Sequence, residues 1–289
     1  MVYKIIVLAK QVPDTKNIIG EAMRPDGTVN RAALPAIFNP EDLQALEMAL
    51  LVKDRFPQSK ISVITMGPIA AIEILREALF RGADDGYLIS DKQFAAADTL
   101  ATSYTLTQAI KTLSGHGDPL EPKNENAIDL IFCGRQAIDG DTAQVGPQVA
   151  ANLGIPQVTY AFEIVDIGDH HKNQITLKRQ LDDVTELVRA QMPLLITVTD
   201  SASHARPRDI RRTIFLRKKK IPVWNIRDIT ASPDRCGLKG SPTNVLKINS
   251  VILSLEGKNT QTFEATPQSM DKLAKILRAE LHQTGTLER

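Results

Sequence analysis

The stretch AIDLIFCGRQAIDGDTAQVGPQVAANLG, residues Ala127–Gly154, decides the fold of this chain. It opens with an apolar run, Ile128–Cys133, which predicts a buried strand. A polar loop that contains glycines follows at Gly134–Asp141, and a helix is predicted from near Thr142 to the final glycine. A strand, a glycine-bearing loop and a helix in this order present backbone N–H groups to a phosphate. The stretch therefore predicts a phosphate site in an α/β protein.

Two acids, Asp139 and Asp141, set this loop apart from a P-loop, and the P-loop lysine is missing. The acids can act as a general acid–base pair, or they can position sugar hydroxyls or cap backbone N–H groups. We favour the second interpretation, because a carboxylate beside a diphosphate repels it unless the carboxylate faces a ribose or a cation. Asp141 and Thr142 can also cap the following helix without any ligand.

Upstream of this stretch, predicted strands and helices alternate. The strands are Tyr3–Ala9, Ile61–Met66 and Gly86–Ile89, and the helices are one that starts at Asn39, Ile69–Phe80 and Asp98–Leu113. A small hairpin is predicted over residues 24–31 and an exposed loop over residues 114–126. The alternation predicts an α/β fold with a doubly wound, mostly parallel sheet covered on both faces. Ligands bind such sheets at the carboxyl ends of the strands.

Downstream of this stretch, the alternation stops. The predicted elements are extended segments at Gln157–Ile167, Gln174–Leu181, Glu186–Arg189 and Pro193–Val198, a basic run at Arg206–Lys220, and a helix near Met270–His282. We expect residues 1–200 to form an α/β nucleotide-binding domain. We expect residues 201–289 to form a basic helix and a C-terminal arm that packs on another protein.

Composition excludes several classes of protein. With 289 residues, a net charge of +1 and 24% charged residues, the chain is typical of a globular protein with no bias toward a charged partner. Two cysteines, Cys133 and Cys236, argue against a disulfide framework and favour a reducing compartment. The apolar run at the N-terminus is too short for a signal peptide or a membrane span, so we expect a cytoplasmic protein without membrane insertion.

The sequence contains no common hydrolytic or metal-binding motif. G-x-G-x-x-G after the first strand, G-x-x-x-x-G-K-[ST], H-E-x-x-H, G-x-S-x-G and C-x-x-C are all missing. The five histidines fall in predicted loops or termini. We therefore predict no catalytic residue and no metal site.

The candidate binding residues converge on the ends of strands. They are Ala9-Lys10, Thr65-Met66-Gly67 and the loop Gly134–Gln144, joined by Asn39-Pro40 at the first helix start. Asn39 can read an adenine edge, but a helix cap alone is the better interpretation. Met66 can lie against a ring or simply pack, and Cys133 is expected to pack inside its strand. Together these positions favour a nucleotide site without hydrolytic machinery.

The basic run Arg206–Lys220 can bind nucleic acid, or it can form a solvated or subunit-facing helix. Its single aromatic residue, Phe215, offers no stacking ladder of the kind that single-strand binders use. We therefore predict no nucleic-acid partner.

Five stretches resemble a known family. They are KIIVLAKQVPDT, FNPEDLQALEMAL, VITMGP, LFRGADDGYLI and GRQAIDGDTAQVGPQVAANLGIPQVT, which start at Lys4, Phe38, Val63, Leu79 and Gly134. On these residues the chain resembles the β (small) subunit of electron transfer flavoproteins over most of its length. The resemblance implies an α/β domain of the adenine nucleotide alpha hydrolase-like or flavodoxin-like kind. It also implies a C-terminal arm that embraces a larger α subunit, which carries its own FAD.

Members of this family bind either AMP or a second FAD in the β subunit. The resemblance places the cofactor contacts at Ala9, Asn39, Met66, Asp98, Thr99, Cys133, Gly134, Arg135, Gln136, Ala137, Asp139, Gly140, Asp141, Thr142, Ala143 and Gln144. Among these residues, Arg135 is our candidate for contacting or tuning the flavin or its diphosphate.

The form GRQAIDGDTAQVGP, together with TMGP, resembles the subgroup that holds FAD and bifurcates electrons from NADH. The resemblance then implies an electron-carrier heterodimer that serves a flavin dehydrogenase and a low-potential acceptor, ferredoxin or flavodoxin. AMP binding with electron transfer along one path is the alternative. A second alternative is a stand-alone ATP-binding stress-type module, but that needs a late glycine-rich phosphate loop, which the sequence lacks.

Two departures from the family pattern bear on partners. Family members usually carry Gly-Gly where this chain has Asp183 and Val184, and Asn-Glu-Pro-Arg where SASHARPR stands. In the family the second of these loops docks on the dehydrogenase. This departure argues against the usual acyl-CoA dehydrogenase as the partner of this chain. It does not affect the residues of the nucleotide site.

Overall fold

The computed structural model describes residues 2–14, 35–115, 127–168, 173–243, 266, 270–276 and 278. The predicted hairpin over residues 24–31 lies outside them, as does most of the predicted loop over residues 114–126. Of the predicted C-terminal helix, residues 270–276 and 278 are described and are helical. Contacts group residues 1–24 and 29–246 into one compact unit and residues 25–28 and 247–289 into a second. The first unit therefore continues past residue 200, and packing of the C-terminal region on a partner stays a prediction.

The described residues form eleven strands and five α-helices. The strands are β1 (Lys4–Leu8), β2 (Gln11–Pro13), β3 (Ala36–Phe38), β4 (Lys60–Met66), β5 (Asp85–Ile89), β6 (Leu130–Gly134), β7 (Gln157–Ile167), β8 (Gln174–Leu181), β9 (Val184–Gln191), β10 (Leu194–Val198) and β11 (Val223–Trp224). The α-helices are α1 (Pro40–Arg55), α2 (Ile72–Arg81), α3 (Thr99–Leu113), α4 (Val145–Leu153) and α5 (Ile210–Leu216). None of the described helices is long and apolar enough to cross a membrane.

A single large sheet organises the described part of the chain. Its strand order is β11-β5-β4-β1-β6-β10-β7-β8-β9, and β2 pairs with β3 apart from it. The strands from β11 to β7 run parallel, whereas β7, β8 and β9 form an antiparallel extension. The chain runs outward from β1 to β5 and then returns to β6 on the other side of β1. Such a reversal opens a crevice at the carboxyl ends of the two strands. The predicted α/β fold with a doubly wound, mostly parallel sheet is confirmed.

Side chains that alternate along the strands point to opposite faces of the sheet and divide the core into two layers. Ile5 and Phe132 belong to the buried cluster that contains residues of α1 and α2. Ile6, Ile131 and Cys133 belong to the cluster that contains residues of α3 and α4. Burying one such large apolar side chain is worth about 1.5–3 kcal/mol, so both faces of the sheet hold the helices firmly. Cys133 packs as a small apolar residue, as predicted.

Several predicted boundaries shift. A 3-10 turn precedes α2, and Gly82, with a φ of 137°, is the cap residue directly after this helix. β9 is longer than the predicted segment at Glu186–Arg189. The prediction that a helix begins near Thr142 is wrong, because α4 begins at Val145. Asp141 and Ala143 adopt left-handed backbone conformations, with φ of 47° and 51°, which a right-handed helix does not allow.

Candidate nucleotide cleft

A cleft of about 400 Å³ lies at the carboxyl ends of β1, β4 and β6. Its lining includes the residues at these ends, Ala9, Met66 and Gly134, and the apolar side chains of Phe94 and Leu106. Small-molecule sites usually measure roughly 300–1,000 Å³, so the cleft suits a nucleotide-sized group. It lies where the reversal of strand order predicts a ligand.

All but three of the predicted site residues line this cleft. Those that do are Ala9, Met66, Asp98, Thr99, Cys133, Gly134, Arg135, Gln136, Ala137, Gly140, Thr142, Ala143 and Gln144. Asn39, Asp139 and Asp141 are not among its described lining residues. The structure thus brings strand ends, loop and helix starts together, and their contact with a cofactor stays a prediction.

Asn39 is fully buried and holds the loop after β6. Its Nδ2 donates to the backbone oxygen of Gln136 at 2.8 Å, and its Oδ1 accepts from the backbone nitrogen of Ile138 at 3.2 Å. It stands at the N-cap position of α1, but within the described chain its side chain makes no capping hydrogen bond. The interpretation of Asn39 as a helix cap alone is therefore wrong: its amide connects the helix start to the loop.

The two loop acids also make contacts within the loop region. Asp139 accepts from Nζ of Lys10 at 2.7 Å and 2.9 Å. Asp141 accepts from Nε2 of Gln136 at 2.9 Å. The predicted cap of α4 by Asp141 and Thr142 is wrong, because α4 begins further along the chain. These contacts give the acids a part in shaping the loop.

The N-terminus of α4 opens into the cleft. Val145 and Gly146 line it, and in the described chain the side chain of Gln144 makes no capping hydrogen bond. Instead, Oε1 of Gln144 accepts from the hydroxyl of Thr99 at 2.8 Å. The first N–H groups of a helix have no partner within it, and with the helix dipole they attract an anion. A Cβ on Gly146 would lie 2.7 Å from Sγ of Cys133, so glycine lets α4 approach the sheet closely.

Two acids in the first turn of α1 organise the start of the loop, and sequence reasoning did not find this role. Asp42 accepts from the backbone nitrogens of Gly134 at 2.7 Å and Lys10 at 2.9 Å. Glu41 accepts from Nη2 of Arg135 and the backbone nitrogen of Gln136, both at 2.8 Å. The only signal was the pair of acids directly after Asn-Pro, which the helix dipole explains equally well.

Burial changes the pKa values of several ionisable groups near the cleft. Burial raises the pKa of Asp42 to about 7, although the N–H donors of Gly134 and Lys10 oppose this. Burial also raises the pKa of the Cys133 thiol, so this residue stays neutral. Burial alone would lower the pKa of Arg135, but its hydrogen bond and ion pair with Glu41 hold that pKa above its usual range.

A C-terminal strap, residues 236–243, supports the outer wall of the cleft. Asp98 caps α3 by accepting from the backbone nitrogen of Ala101 at 3.0 Å. Its own N–H donates to Oγ of Ser241 at 2.8 Å, and its Oδ2 accepts from the backbone nitrogen of Thr243 at 3.2 Å. Burial alone would raise the pKa of Asp98, but these N–H donors hold it below its usual range. The strap was not found from sequence.

The cleft lacks the features of a metal-dependent site. In the described ranges, no group of three or more His, Cys, Asp or Glu residues could hold a metal ion. Its polar groups are backbone N–H groups, hydroxyls and amides, together with Asp42, Asp98, Lys10 and Arg135. This set can bind and orient a nucleotide.

Residues 26–226 match the family model of the electron transfer flavoprotein domain. The chain belongs to this family. It is 42% identical over 277 residues to the electron transfer flavoprotein subunit beta of Megasphaera elsdenii, which covers 93% of this chain and 97% of that one. The resemblance to a β subunit, inferred from sequence motifs, is confirmed.

Two further relatives are named for reductase complexes. The chain is 42% identical over 244 residues to the caffeyl-CoA reductase-Etf complex subunit CarD of Acetobacterium woodii, covering 84% of this chain and 86% of that one. It is 43% identical over 249 residues to the acryloyl-CoA reductase electron transfer subunit gamma of Anaerotignum propionicum. The match covers 84% of this chain and 87% of that one. Electron transfer flavoprotein β subunits pair with an α subunit, and this chain is a subunit of that type.

Proposed function

We propose that the cleft holds FAD by its adenine nucleotide half and that the chain, with an α subunit, bifurcates electrons from NADH. The observation that carries this proposal is the uncapped start of α4 at the edge of a nucleotide-sized cleft. A phosphate there needs no P-loop lysine, because Val145 and Gly146 offer backbone N–H groups. When bound, FAD supplies the redox chemistry, and the chain supplies binding and orientation.

The residues of the cleft fit the adenine half of the cofactor. Phe94, Leu106 and Met66 provide apolar surface for a base, and Thr99 and Gln144 provide hydrogen-bonding groups beside the helix start. A cleft of about 400 Å³ holds a nucleotide but not a complete dinucleotide, so the isoalloxazine ring would extend beyond it. AMP would fill the same cleft, and AMP with electron transfer along one path is therefore the alternative.

Two features favour FAD over AMP. The loop sequence GRQAIDGDTAQVGP resembles the form found in the FAD-binding subgroup. In addition, Nε of Arg135 is buried and has no hydrogen-bond partner among the described residues. Arg135 lines the cleft and could donate this N–H to a diphosphate or to a flavin. An AMP phosphate at the start of α4 would require neither feature.

The proposal is tested by counting nucleotides in the purified heterodimer. The complex is denatured, and the released FAD and AMP are quantified by chromatography and mass spectrometry. Two FAD per heterodimer support the proposal, whereas one FAD and one AMP support the alternative. Anaerobic reduction by NADH then tests bifurcation: ferredoxin or flavodoxin must be reduced only when the high-potential dehydrogenase route is also open. A stable monomer that binds ATP would instead favour the stress-type module.

The dehydrogenase partner is proposed to contact α5. This helix exposes Ile210, Ile214 and Phe215, with 75%, 61% and 80% of their surfaces accessible. The basic segment around it is anchored: Arg206 pairs with Glu47 at 2.8 Å, and Arg212 donates to backbone oxygens near the end of α2. Several of its cations are thus engaged within the chain, which weakens the nucleic-acid interpretation. RNA affinity that fell steeply with salt would revive it.

A variant of α5 separates partner docking from cofactor binding. Phe215→Ser should slow electron transfer to the dehydrogenase and leave cofactor content unchanged. Val165→Ser, at a 45% exposed position on β7, is the matched control. Equal transfer rates in both variants would remove α5 from the docking surface.

Both cysteines are free and buried, which suits the reducing cytoplasm that we propose as the compartment.

A further inference from the structure

The carboxylate of Asp42 joins two strand ends beneath the cleft. Its Oδ1 accepts from the backbone nitrogen of Gly134 at 2.7 Å, and its Oδ2 from that of Lys10 at 2.9 Å. Lys10 lies just after β1 and Gly134 ends β6, and strand order reverses between these two strands. Asp42 is only 7% exposed, yet it is one of the residues that line the cleft. One carboxylate therefore bridges the two sides of the crevice.

The approach of Asp42 to Gly134 leaves no space for a side chain. A Cβ at this position would lie 2.6 Å from Oδ1 of Asp42 and 2.8 Å from its backbone nitrogen. The next two residues are also held, since Arg135 donates its backbone N–H to Val198 at 2.8 Å and Gln136 donates to Glu41. The backbone position of Gly134 therefore fixes where the loop that forms the cleft wall begins.

We propose that Asp42 is a positioning residue for the nucleotide: its ionised carboxylate holds the N–H groups of Gly134 and Lys10 and so sets the shape of the cleft wall. The inference rests on the proposed function for its ligand and on the observed contacts for its mechanism. A protonated carboxyl or an amide keeps one good acceptor for two N–H donors. One buried N–H would then lose its partner, at a cost of about 1–3 kcal/mol.

The titration of Asp42 falls near neutral pH. Burial raises its pKa to about 7, the donors Gly134, Lys10 and Asn39 oppose this, and the charge of Glu41 adds to it. The other charged groups around it are engaged, since Glu41 pairs with Arg135 and the Lys10 ammonium pairs with Asp139, while the Cys133 thiol is neutral.

Stability and affinity should therefore change with pH in opposite directions. The folded chain keeps this proton at pH values where the unfolded chain has lost it. The contribution of Asp42 to stability is therefore largest below its ordinary pKa of 3.8 and falls as the pH rises to about 7. Only the ionised form makes both hydrogen bonds, so nucleotide affinity falls as the pH drops below 7.

The test compares three forms of the complete heterodimer after its nucleotide has been removed. AMP and FAD are titrated by calorimetry from pH 6 to pH 8. In the wild type the apparent Kd at pH 6 should be about tenfold higher than at pH 8, because the ionised fraction of Asp42 falls by about that factor between the two pH values. Asp42→Asn should bind weakly at both pH values. Asp54→Asn, on the same helix but paired with Arg206 at 2.7 Å, should keep the wild-type profile. Protonation of the AMP phosphate near pH 6 affects all three forms equally.

A second measurement needs no nucleotide. Hydrogen–deuterium exchange of the peptide that contains Gly134 should be faster in Asp42→Asn than in the wild type or in Asp54→Asn. If Asp42→Asn does not fold, protection of this peptide in the wild type must still decrease from pH 8 to pH 6 after correction for intrinsic exchange. Constant protection would overturn the inference.

The two proposals fail in different ways. Nucleotide binding with the same pH profile in wild type and Asp42→Asn overturns the role of Asp42 and leaves the proposed function intact. Failure of all three forms to bind either AMP or FAD overturns the proposed function, and this inference with it.

Discussion

The ammonium group of Lys10 lies 2.7 Å from Oδ1 of Asp139, and this ion pair joins the end of β1 to the loop after β6. The side chains are 48% and 19% exposed, so the pair should contribute only about 0–1 kcal/mol to stability. Lys10 also lines the cleft. The chain has no P-loop lysine, but Lys10 is a residue of the proposed nucleotide cleft, and Asp139 partly neutralises its charge.

Replacing Asp139 by Asn should strengthen nucleotide binding. The change removes a negative charge and frees Lys10 to approach a phosphate, so affinity for AMP or FAD should rise by about two- to tenfold at low salt and by less at high salt. Calorimetric titration at two salt concentrations measures this. Lys10→Met should have the opposite effect. Weaker binding by Asp139→Asn would instead support the interpretation that Asp139 positions ribose hydroxyls.

Gly134→Ala should destabilise the fold, because its Cβ would lie 2.6 Å from Oδ1 of Asp42. Relieving this overlap requires backbone movement that typically costs about 1–3 kcal/mol. The free energy of unfolding in urea measures the loss. Gly140→Ala is the control, since no described atom lies within 4 Å of a Cβ there, and its change should stay within about 0.5 kcal/mol. Equal effects at the two glycines would contradict the assigned role of Gly134.

Ser241→Ala should lower the stability of the protein and weaken nucleotide binding, although Ser241 does not line the cleft. Oγ of Ser241 accepts from the backbone N–H of Asp98 and donates to the oxygen of Gly237 at 2.7 Å, so its loss leaves a backbone N–H unpaired. We expect a loss of about 1–3 kcal/mol in stability and weaker nucleotide binding. Thermal unfolding and AMP titration report the two effects. Ser232→Ala, in an exposed residue that uses its backbone nitrogen to contact Tyr104, should change neither quantity.

The role of Arg135 can be separated from that of its partner Glu41. The guanidinium donates to Glu41 at 2.8 Å, and its carbon lies 5.8 Å from the ring centre of Tyr160. If Arg135 contacts the flavin or its diphosphate, Arg135→Ala should lower cofactor content and the rate of reduction by NADH. Glu41→Gln keeps the cation but offers one good acceptor to the two donors Arg135 and Gln136, so it should lower both quantities by less than Arg135→Ala does. Similar losses in the two variants would assign Arg135 a role only in shaping the loop, and unchanged cofactor content and reduction in Arg135→Ala would give it no role.

The fold could be predicted because its signals are local. Apolar runs such as Ile128–Cys133, followed by helices with a 3.6-residue period, give the alternation of strand and helix directly. The strand ends then follow from topology, so Ala9, Met66 and Gly134 could be placed at one edge. The start of α4 could not be predicted: Asp141 reaches a positive φ readily, but nothing in the sequence shows that Ala143 does so too.

The missed parts of the site depend on contacts between distant residues. Asp98 and Ser241 are 143 positions apart, and Asp42 and Gly134 are 92 apart. Neither pair has a local pattern, because an aspartate at the N-cap or in the first turn of a helix is already favoured by capping and by the helix dipole. The buried amide of Asn39 is a similar case, since N-cap statistics describe the helix and take no account of the loop that folds over it.

The strap supports the cleft even though none of residues 236–243 is among the lining residues. A premature stop between β11 and Ser241 would remove Ser241 and Thr243 and leave the Asp98 N–H and one carboxylate oxygen without these partners. The wall that carries Thr99 would loosen while the sheet stayed whole. A truncated chain should therefore behave like a variant of the cleft itself, and the shortest unit that retains a nucleotide should extend at least to Thr243.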